Sequence, residues 1–328
     1  MPDAQKWVTF GIITDTHIDA SYAGISKYRD TDKVKRNRGT IDCINIDAYN
    51  AGCWGVVHLG DMTDAGDAQN MVAFRQLYEN DYPGKNGGNI AGASDKNYNA
   101  YSCGYRIEKP VFPTMGNHGP SDKWASYIQD RILAANGLSA SYNNARSAYI
   151  WRWGQYYFIN LGLWAGSYDY ESSTDIDYDK LEWLQNWLAE HIGNSNMGVL
   201  IFQHYGWEEF SCNGQWWTPQ MRELELDVLM RRPLGSGNTV QGNPYNVIGI
   251  FTGHNHEQVF SEVYAGMDLN GNSIKFNNLV FNDSGADDNY GFSIITLDGD
   301  NNVMKINTKT VSSNTWSSWE KSIHVGSK

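Results

Sequence analysis

Short apolar runs alternate along this chain with longer stretches of helical period. "KWVTFGIIT" (6–14) is apolar and β-branched and predicts a buried strand. Residues 32–52 predict a helix stopped by Gly52. Residues 54–60 predict a second strand, 67–80 a helix capped by Asp67, and 109–116 a third strand. Residues 121–137 predict a helix with Ser121 as cap and Gly137 as stop. "SAYIWRWG" and "QYYFINLG" predict aromatic strands, followed by an amphipathic helix over 177–193 and a strand over 197–204. A helix over 218–232 has Pro219 at its first position, and 245–253 predicts another strand. Hairpins close the chain, with turns at "DLNGN" and "LDGDNN". Strand–helix alternation predicts βαβ units and mostly parallel sheet, to which the tail adds antiparallel edge strands. There is no repeat or linker. The expectation is one domain over 1–328 with two sheets covered by helices, and long loops at 81–109 and 205–217.

The polar residues that interrupt this pattern fall at the carboxyl ends of five strands, where open α/β sheets hold ligands. "FGIITDTH" ends in Asp15 and His17, "VVHLGD" in Asp61, and "VFPTMGNH" in Asn117 and His118. "LIFQH" ends in His204, and "IGIFTGHNH" in His254 and His256. Each alone has an ordinary structural role, as a turn, a cap or a satisfied core histidine. The joint pattern outweighs those roles, because five of the eight histidines occupy such positions. Carboxylate, imidazole and amide oxygen together suit Mn, Fe or Zn better than calcium's all-oxygen cage. Seven ligands are too many for one catalytic ion with an open position. They suit two ions sharing a carboxylate, an arrangement that activates a hydroxide and clamps an in-line displacement. Two ions carry about +4, and two carboxylates with a hydroxide return about −3, leaving a site that attracts a phosphoryl group.

Composition narrows the partners. A formal net charge of −12 argues against non-specific nucleic-acid binding, which needs clustered Lys and Arg. No run reaches the roughly 18 apolar residues of a membrane helix. The Gly-, Trp- and Tyr-rich composition leans toward a secreted or periplasmic protein in mature form, without a signal peptide, with a cytoplasmic setting left open. None of the four cysteines forms a C-x-x-C pair, so a structural zinc site is not expected. Cys43 and Cys53 are separated by about 15 Å of helix, too far for a disulfide. Cys103 and Cys212 lie in loops that could bring them together.

The ordered blocks D-x-H (15–17), G-D (60–61), G-N-H (116–118), His204 and G-H-x-H (253–256) resemble the calcineurin-like metallophosphoesterase superfamily. The resemblance implies an α/β fold, a four-layer α/β/β/α sandwich with two mixed sheets. It implies two divalent or mixed-valence ions and hydrolysis of a small phosphate ester. By the same resemblance, Asp15, His17 and His256 would bind one ion. Asn117, His204 and His254 would bind the other, with Asp61 between them. His118 would act over the phosphate, and Asp64 would orient His118. Ala65 and Gly119 replace the Arg and Glu of protein phosphatases, and Asp64 stands where purple acid phosphatases carry Tyr. His58, His191 and His324 are expected outside catalysis.

The loops supply the candidates for substrate contact. Tyr98, Tyr101, Tyr105, Tyr205, Trp207, Trp216 and Trp217 could line a cleft, and Arg106, Arg146 and Arg152 could meet phosphate oxygens. Aromatics with amides suit a sugar, inositol, glycerol head group or nucleoside on the phosphate. A small phosphodiester is the favoured substrate, with a phosphomonoester as alternative. Two further classes are a non-catalytic binding protein that keeps the fold and a carbohydrate-binding module.

Overall fold

The computed structural model describes residues 5–19, 32–65, 70, 74, 78, 107, 109–118, 142–143, 148–163 and 178–324. In chain order the first elements are β1 (Trp7–Ile13), α1 (Asp32–Asn50), β2 (Val56–His58) and β3 (Val111–Pro113). A central group follows: β4 (Tyr142–Asn143), β5 (Ala148–Trp153), β6 (Tyr156–Gly162), α2 (Tyr178–His191) and β7 (Gly198–Gln203). Next come α3 (Pro219–Leu229), β8 (Val247–Thr252), β9 (Val259–Met267) and β10 (Ser273–Val280). The last strands are β11 (Gly291–Asp298), β12 (Val303–Thr310) and β13 (Thr315–Ser322).

One sheet has the order β13-β12-β11-β1-β2-β3 and the other β4-β5-β6-β7-β8-β10-β9. Both are mixed. β1, β2 and β3 run parallel, as do β6, β7, β8 and β10 in the second sheet. The inner faces meet through a dense aromatic core. Phe10 of the first sheet packs edge-on against Phe158, Phe202 and Phe251 of the second. Helix α1 covers the outer face of the first sheet through Val34, Ile41, Ile44 and Ala48, the spacing of one helical stripe. Helices α2 and α3 cover the second sheet through Leu181, Leu184, Leu188, Leu226 and Leu229. The layers are therefore α/β/β/α. Thr218 caps α3 by accepting from the Met221 amide, and Pro219 opens it.

The strand ends expected over 54–60 and 109–116 are shorter in the structure. β2 spans Val56–His58 and β3 Val111–Pro113, although the Leu59 amide still pairs with the Ile13 carbonyl and the Thr114 amide with the His58 carbonyl beyond them. The tail supplies the expected edge strands and more. β13 and β9 are edge strands as expected, but β11 sits inside the first sheet between β12 and β1, and β10 joins β8 in parallel with β9 outside it. Turn chemistry marks hairpins but not which strand they join. Of the helix expected over 67–80, only 70, 74 and 78 are described, and the helix over 121–137 lies outside the described residues.

Two buried polar residues of α1 tie this scaffold to the strand-end loops. Asn37 donates through Nδ2 to the Thr16 carbonyl at 2.9 Å, and the Thr40 hydroxyl donates to the Ser284 carbonyl at 2.7 Å. Cys43, Cys53 and Cys212 are free thiols, so Cys212 is not in the disulfide considered from sequence. Cys103 lies outside the described residues. Among the described residues, no helix is long and apolar enough to cross a membrane.

Candidate metal centre

The loops leaving β1, β2, β3, β7 and β8 converge at one end of the sandwich. Asp15 N–H donates to the Gly60 carbonyl and His17 N–H to the Asp61 carbonyl, both at 3.0 Å, so the first two loops continue their strands' pairing. Asp15, His17, Asp61, His254 and His256 all have positive φ, between 43° and 69°. Such backbone is uncommon outside glycine and costs on the order of 1–3 kcal/mol per residue. Here it aims consecutive side chains into one space.

Glycine is required where that space is tightest. A Cβ on Gly116 would lie 2.1 Å from the Asp61 amide nitrogen and 2.2 Å from its Oδ1. A Cβ on Gly253 would lie 2.0 Å from Thr14 Oγ1 and 2.4 Å from Asp15 Oδ2. The glycines of two motif blocks are thus the walls against which two carboxylates rest.

Three ligand-like clusters result: Asp15 with His17 and His256, Asp61 with His204 and His254, and His17 with Asp64 and the exposed His118; the first two, the more buried triads, are the candidate ion sites. Asp15 Oδ1 is 3.4 Å from His256 Nε2 and 3.8 Å from His17 Nε2. Asp61 Oδ2 is 3.2 Å from His204 Nε2 and 3.5 Å from His17 Nε2, so one oxygen faces both groups. Asn117 Oδ1 lies 2.9 Å from His204 Nε2. Atoms each about 2.1 Å from a common ion lie about 3.0–3.4 Å apart, which this set brackets.

The remaining valences of these side chains point away from the centre and are occupied. His17 Nδ1–H donates to Asp64 Oδ1 at 3.0 Å, His256 Nδ1–H to Asp287 Oδ2 at 2.9 Å, and His204 Nδ1–H to the Leu59 carbonyl at 2.8 Å. Asp15 Oδ2 accepts from Thr14 Oγ1 at 2.6 Å and from the His254 amide at 3.0 Å. Asp61 Oδ1 accepts from the His118 amide at 2.8 Å. By contrast Asp15 Oδ1, His17 Nε2 and His254 Nε2 are buried without a hydrogen-bond partner. Buried polar atoms of native proteins are normally satisfied. Orphan atoms converging here, with the far side of His17 held by the Asp64 carboxylate and that of Asp15 by a hydroxyl and an amide, are the donor pattern that metal ions complete. The residues fit two divalent ions.

The buried groups shift one another's protonation in opposite directions. Burial pushes the Asp15 carboxyl up, but hydrogen bonds to His17 and His256 override it and hold it well below the usual carboxylate range. Burial also opposes the charged form of His17, yet Asp15 and Asp64 raise it to about 10. His256 is raised to about 9 against its burial, by Asp15 and Asp287. His254 goes the other way, lowered to about 3 by burial and by the His204 charge.

His118 is exposed at the edge of this centre, its ring 4.6 Å from that of His17. Its Nδ1–H donates to the Asp64 backbone carbonyl at 3.1 Å. Asp64 thus meets His118 through its backbone carbonyl, while its carboxylate grips His17 and pairs with Lys33 Nζ at 2.7 Å. His58 is buried and neutral, lowered to about 3 by burial. Its Nδ1 accepts from the Gly60 amide and its Nε2 meets Thr16 Oγ1. His191 stacks on Trp187, and His324 is exposed.

A cavity of about 730 Å³ opens over the centre, within the usual size of ligand sites. Loop 205–217 supplies part of its wall, but not through all the aromatics expected. Trp216 lines it, with its ring 4.6 Å from His254, and so does Phe210, which sequence reasoning missed. Tyr205 is buried against His254 at 4.7 Å. Trp207 and Trp217 are corrected to the outer core, where their indole N–H groups donate to Glu225 and to the Gly206 carbonyl. A buried indole needs an acceptor, and both acceptors lie beneath the loop. Arg152 is on β5, over the Tyr157 ring, and does not line the cavity. Tyr98, Tyr101, Tyr105, Arg106 and Arg146 lie outside the described residues. Asp287, Lys33 and Thr14, which hold the ligand-like side chains from behind, left no signal in the sequence pattern.

No protein-family model matches the chain, and no curated protein matches it. Solved structures do share its architecture. A dimetal phosphatase from Danio rerio superposes with a TM-score of 0.59 at 14% identity, covering 97% of this chain and 99% of that one. A purple acid phosphatase from yellow lupin gives 0.58 at 15%, covering 99% of this chain and 55% of that one. GAP50, described as an anchor in the inner membrane complex of Plasmodium, gives 0.56 at 12%, with coverage of 99% and 90%. At such identities the likeness is one of fold.

Proposed function

This chain has the fold of the calcineurin-like metallophosphoesterases, and we propose that it uses it as a metal-dependent hydrolase of phosphate esters. The observation that carries this reading is the pair of triads facing one Asp61 oxygen, with unsatisfied ligand atoms turned inward. Asp15, His17 and His256 would hold one ion, and Asn117, His204 and His254 the other, with Asp61 shared. When bound, such a pair supplies Lewis acidity and lowers the pKa of water.

The chain's own groups do the rest. Asp64 fixes His17 with its proton on Nδ1, and Lys33 fixes Asp64. Asp287 does the same for His256. His118, with Nδ1–H held by the Asp64 carbonyl, keeps Nε2 free. In the reaction a P–O bond to water forms and the P–O bond to the alcohol breaks. His118 in its imidazolium form gives the Nε2 proton to the departing oxygen, and the proton that the water loses restores it, so that overall one proton passes from water to the alcohol. Phe210 and Trp216 pack against the His254 ring.

A diester is favoured over a monoester. The described residues lining the cavity include Glu257, Asp283 and Asp287 but no Lys or Arg, an environment that tolerates one phosphate charge better than two. The test compares bis(p-nitrophenyl) phosphate with p-nitrophenyl phosphate at matched Mn, Fe or Zn loading, together with His118→Ala. Diester hydrolysis that is lost with chelator and falls by about 100-fold in the variant is expected. A strong monoester preference replaces the diester reading, and metal-loaded protein inert on both returns the chain to a binding role.

A further inference from the structure

The cavity extends beyond the metal centre onto the end of the first sheet, and there the inward face changes character. On β12 the inward residues read Met304, Ile306, Thr308, Thr310. The first two are in the core between the sheets; the last two line the cavity. The neighbouring strands switch at the same level. Across β11 the partners of Ile306, Thr308 and Thr310 are Ile295, Ser293 and Gly291. Across β13 they are Trp319, Ser317 and Thr315. Three strands thus trade apolar side chains for hydroxyls or glycine in one row, because direct cross-strand partners share a face.

An end of a sheet that merely met water would favour charged residues, which this tail places elsewhere: Lys305 and Glu320 pair on the opposite face. The hydroxyl row instead borders a cavity whose rim adds amides. Ser293 and Thr308 satisfy one another at 2.8 Å. The side chains of Thr310, Ser317, Gln258 and Asn255 make no hydrogen bond to another described residue, and all four line the cavity. Trp216 and Phe210 bring flat apolar surface to the same space. Unengaged hydroxyls and amides beside an aromatic wall match a ring or chain that is itself polyhydroxylated and uncharged.

We infer that the outer cleft is a subsite for a neutral polyol, a sugar, cyclitol or glycerol unit esterified to the phosphate held at the metal centre. The inference rests on the phosphoester reading and deepens it. It sets Thr310, Ser317 and Gln258 as specificity residues for the alcohol. Each neutral hydrogen bond contributes about fivefold, so two or three give roughly 30- to 100-fold selectivity.

The experiment holds the leaving group constant. Metal-loaded protein is given p-nitrophenyl phosphodiesters whose second alcohol is methanol, choline, glycerol, glucose or myo-inositol. At least about 30-fold higher kcat/KM for one of the three polyols than for methyl is expected, and which polyol leads names the source. Thr310→Val with Ser317→Ala, shape-preserving changes, brings that ratio down to about fivefold or less. A preference for the choline diester, or equal rates throughout, overturns the inference while leaving a phosphoesterase. If no ester is cleaved, the phosphoester reading falls. Titration of glucose and myo-inositol into the protein, followed by NMR, then still decides the subsite: shifts lost in the double variant support it, and no shifts refute it.

Discussion

Gly116→Ala tests whether the centre depends on the close approach of two loops. A methyl there would stand 2.1 Å from the Asp61 nitrogen and 2.2 Å from Oδ1. Non-bonded heavy atoms rest at about 3.5–4.0 Å, so Asp61 or the loop carrying Asn117 and His118 must retreat by more than about 1 Å. Asp61 Oδ2 now sits 3.2 Å from His204 Nε2 and 3.5 Å from His17 Nε2. A retreat of that size removes the one oxygen that faces both triads. Misplacement of about 1 Å costs about 100-fold in rate. Both ions should weaken, since Asp61 serves both. The assay is kcat/KM on bis(p-nitrophenyl) phosphate, with metal content by elemental analysis and fold by far-UV circular dichroism. The expected variant is folded, holds fewer than two ions, and is about 100-fold slower or worse. Two ions retained with activity within about threefold would show that the glycine is not a wall.

Three other outcomes follow from the geometry. His256→Ala should lower the ion content from about two to about one at limiting metal, because His256 and His254 belong to different triads; loss of both ions together would contradict that division. Ion uptake at pH 7.5 should release about two protons from His17 and His256, raised to about 10 and about 9. Apparent affinity should therefore climb with pH up to that range, and calorimetric heats that do not change with the buffer's ionisation enthalpy would count against it. Glu225, buried beneath loop 205–217, is raised to about 7 by burial, against the pull of Trp207 and Gln203. Its native form binds a proton that the unfolded chain has lost above about pH 4.5, so its contribution to stability falls as pH rises from there through 7. Glu225→Gln should gain on the parent across that window by on the order of 3 kcal/mol. Melting curves of the two proteins that run parallel from pH 5 to 8 would refute it.

The centre was legible because its residues are attached to strand ends. Asp15, Asp61, His118, His204 and His254 each follow an apolar run that can only be a strand, and parallel strands in βαβ order deliver their ends to one side. What lay behind them was not legible. Asp287 reaches His256 only because β10 inserts beside β8, and no local pattern announces that register. The hydroxyl row is similar: Ser293, Thr308 and Ser317 are ordinary strand residues until cross-strand pairing lines them up. Loop 205–217 shows a third kind of miss. Its aromatics are equal in the sequence, and the buried carboxylate of Glu225 is what draws Trp207 inward while Trp216 stays at the cavity.

The position of β11 has a consequence for how the chain is made. β1 pairs with it from Trp7 against Asp298, so the strand that leads into Asp15 waits for a partner almost the whole length of the chain away. At roughly 5–20 residues per second of synthesis, that delay is about 15–60 s. Throughout it, the apolar strand Trp7–Ile13 has one edge without its final neighbour. The metal centre, built on that strand, therefore closes only after the tail emerges. Slow, long-range pairing of this kind exposes nascent chains to aggregation and makes shielding by chaperones valuable during synthesis.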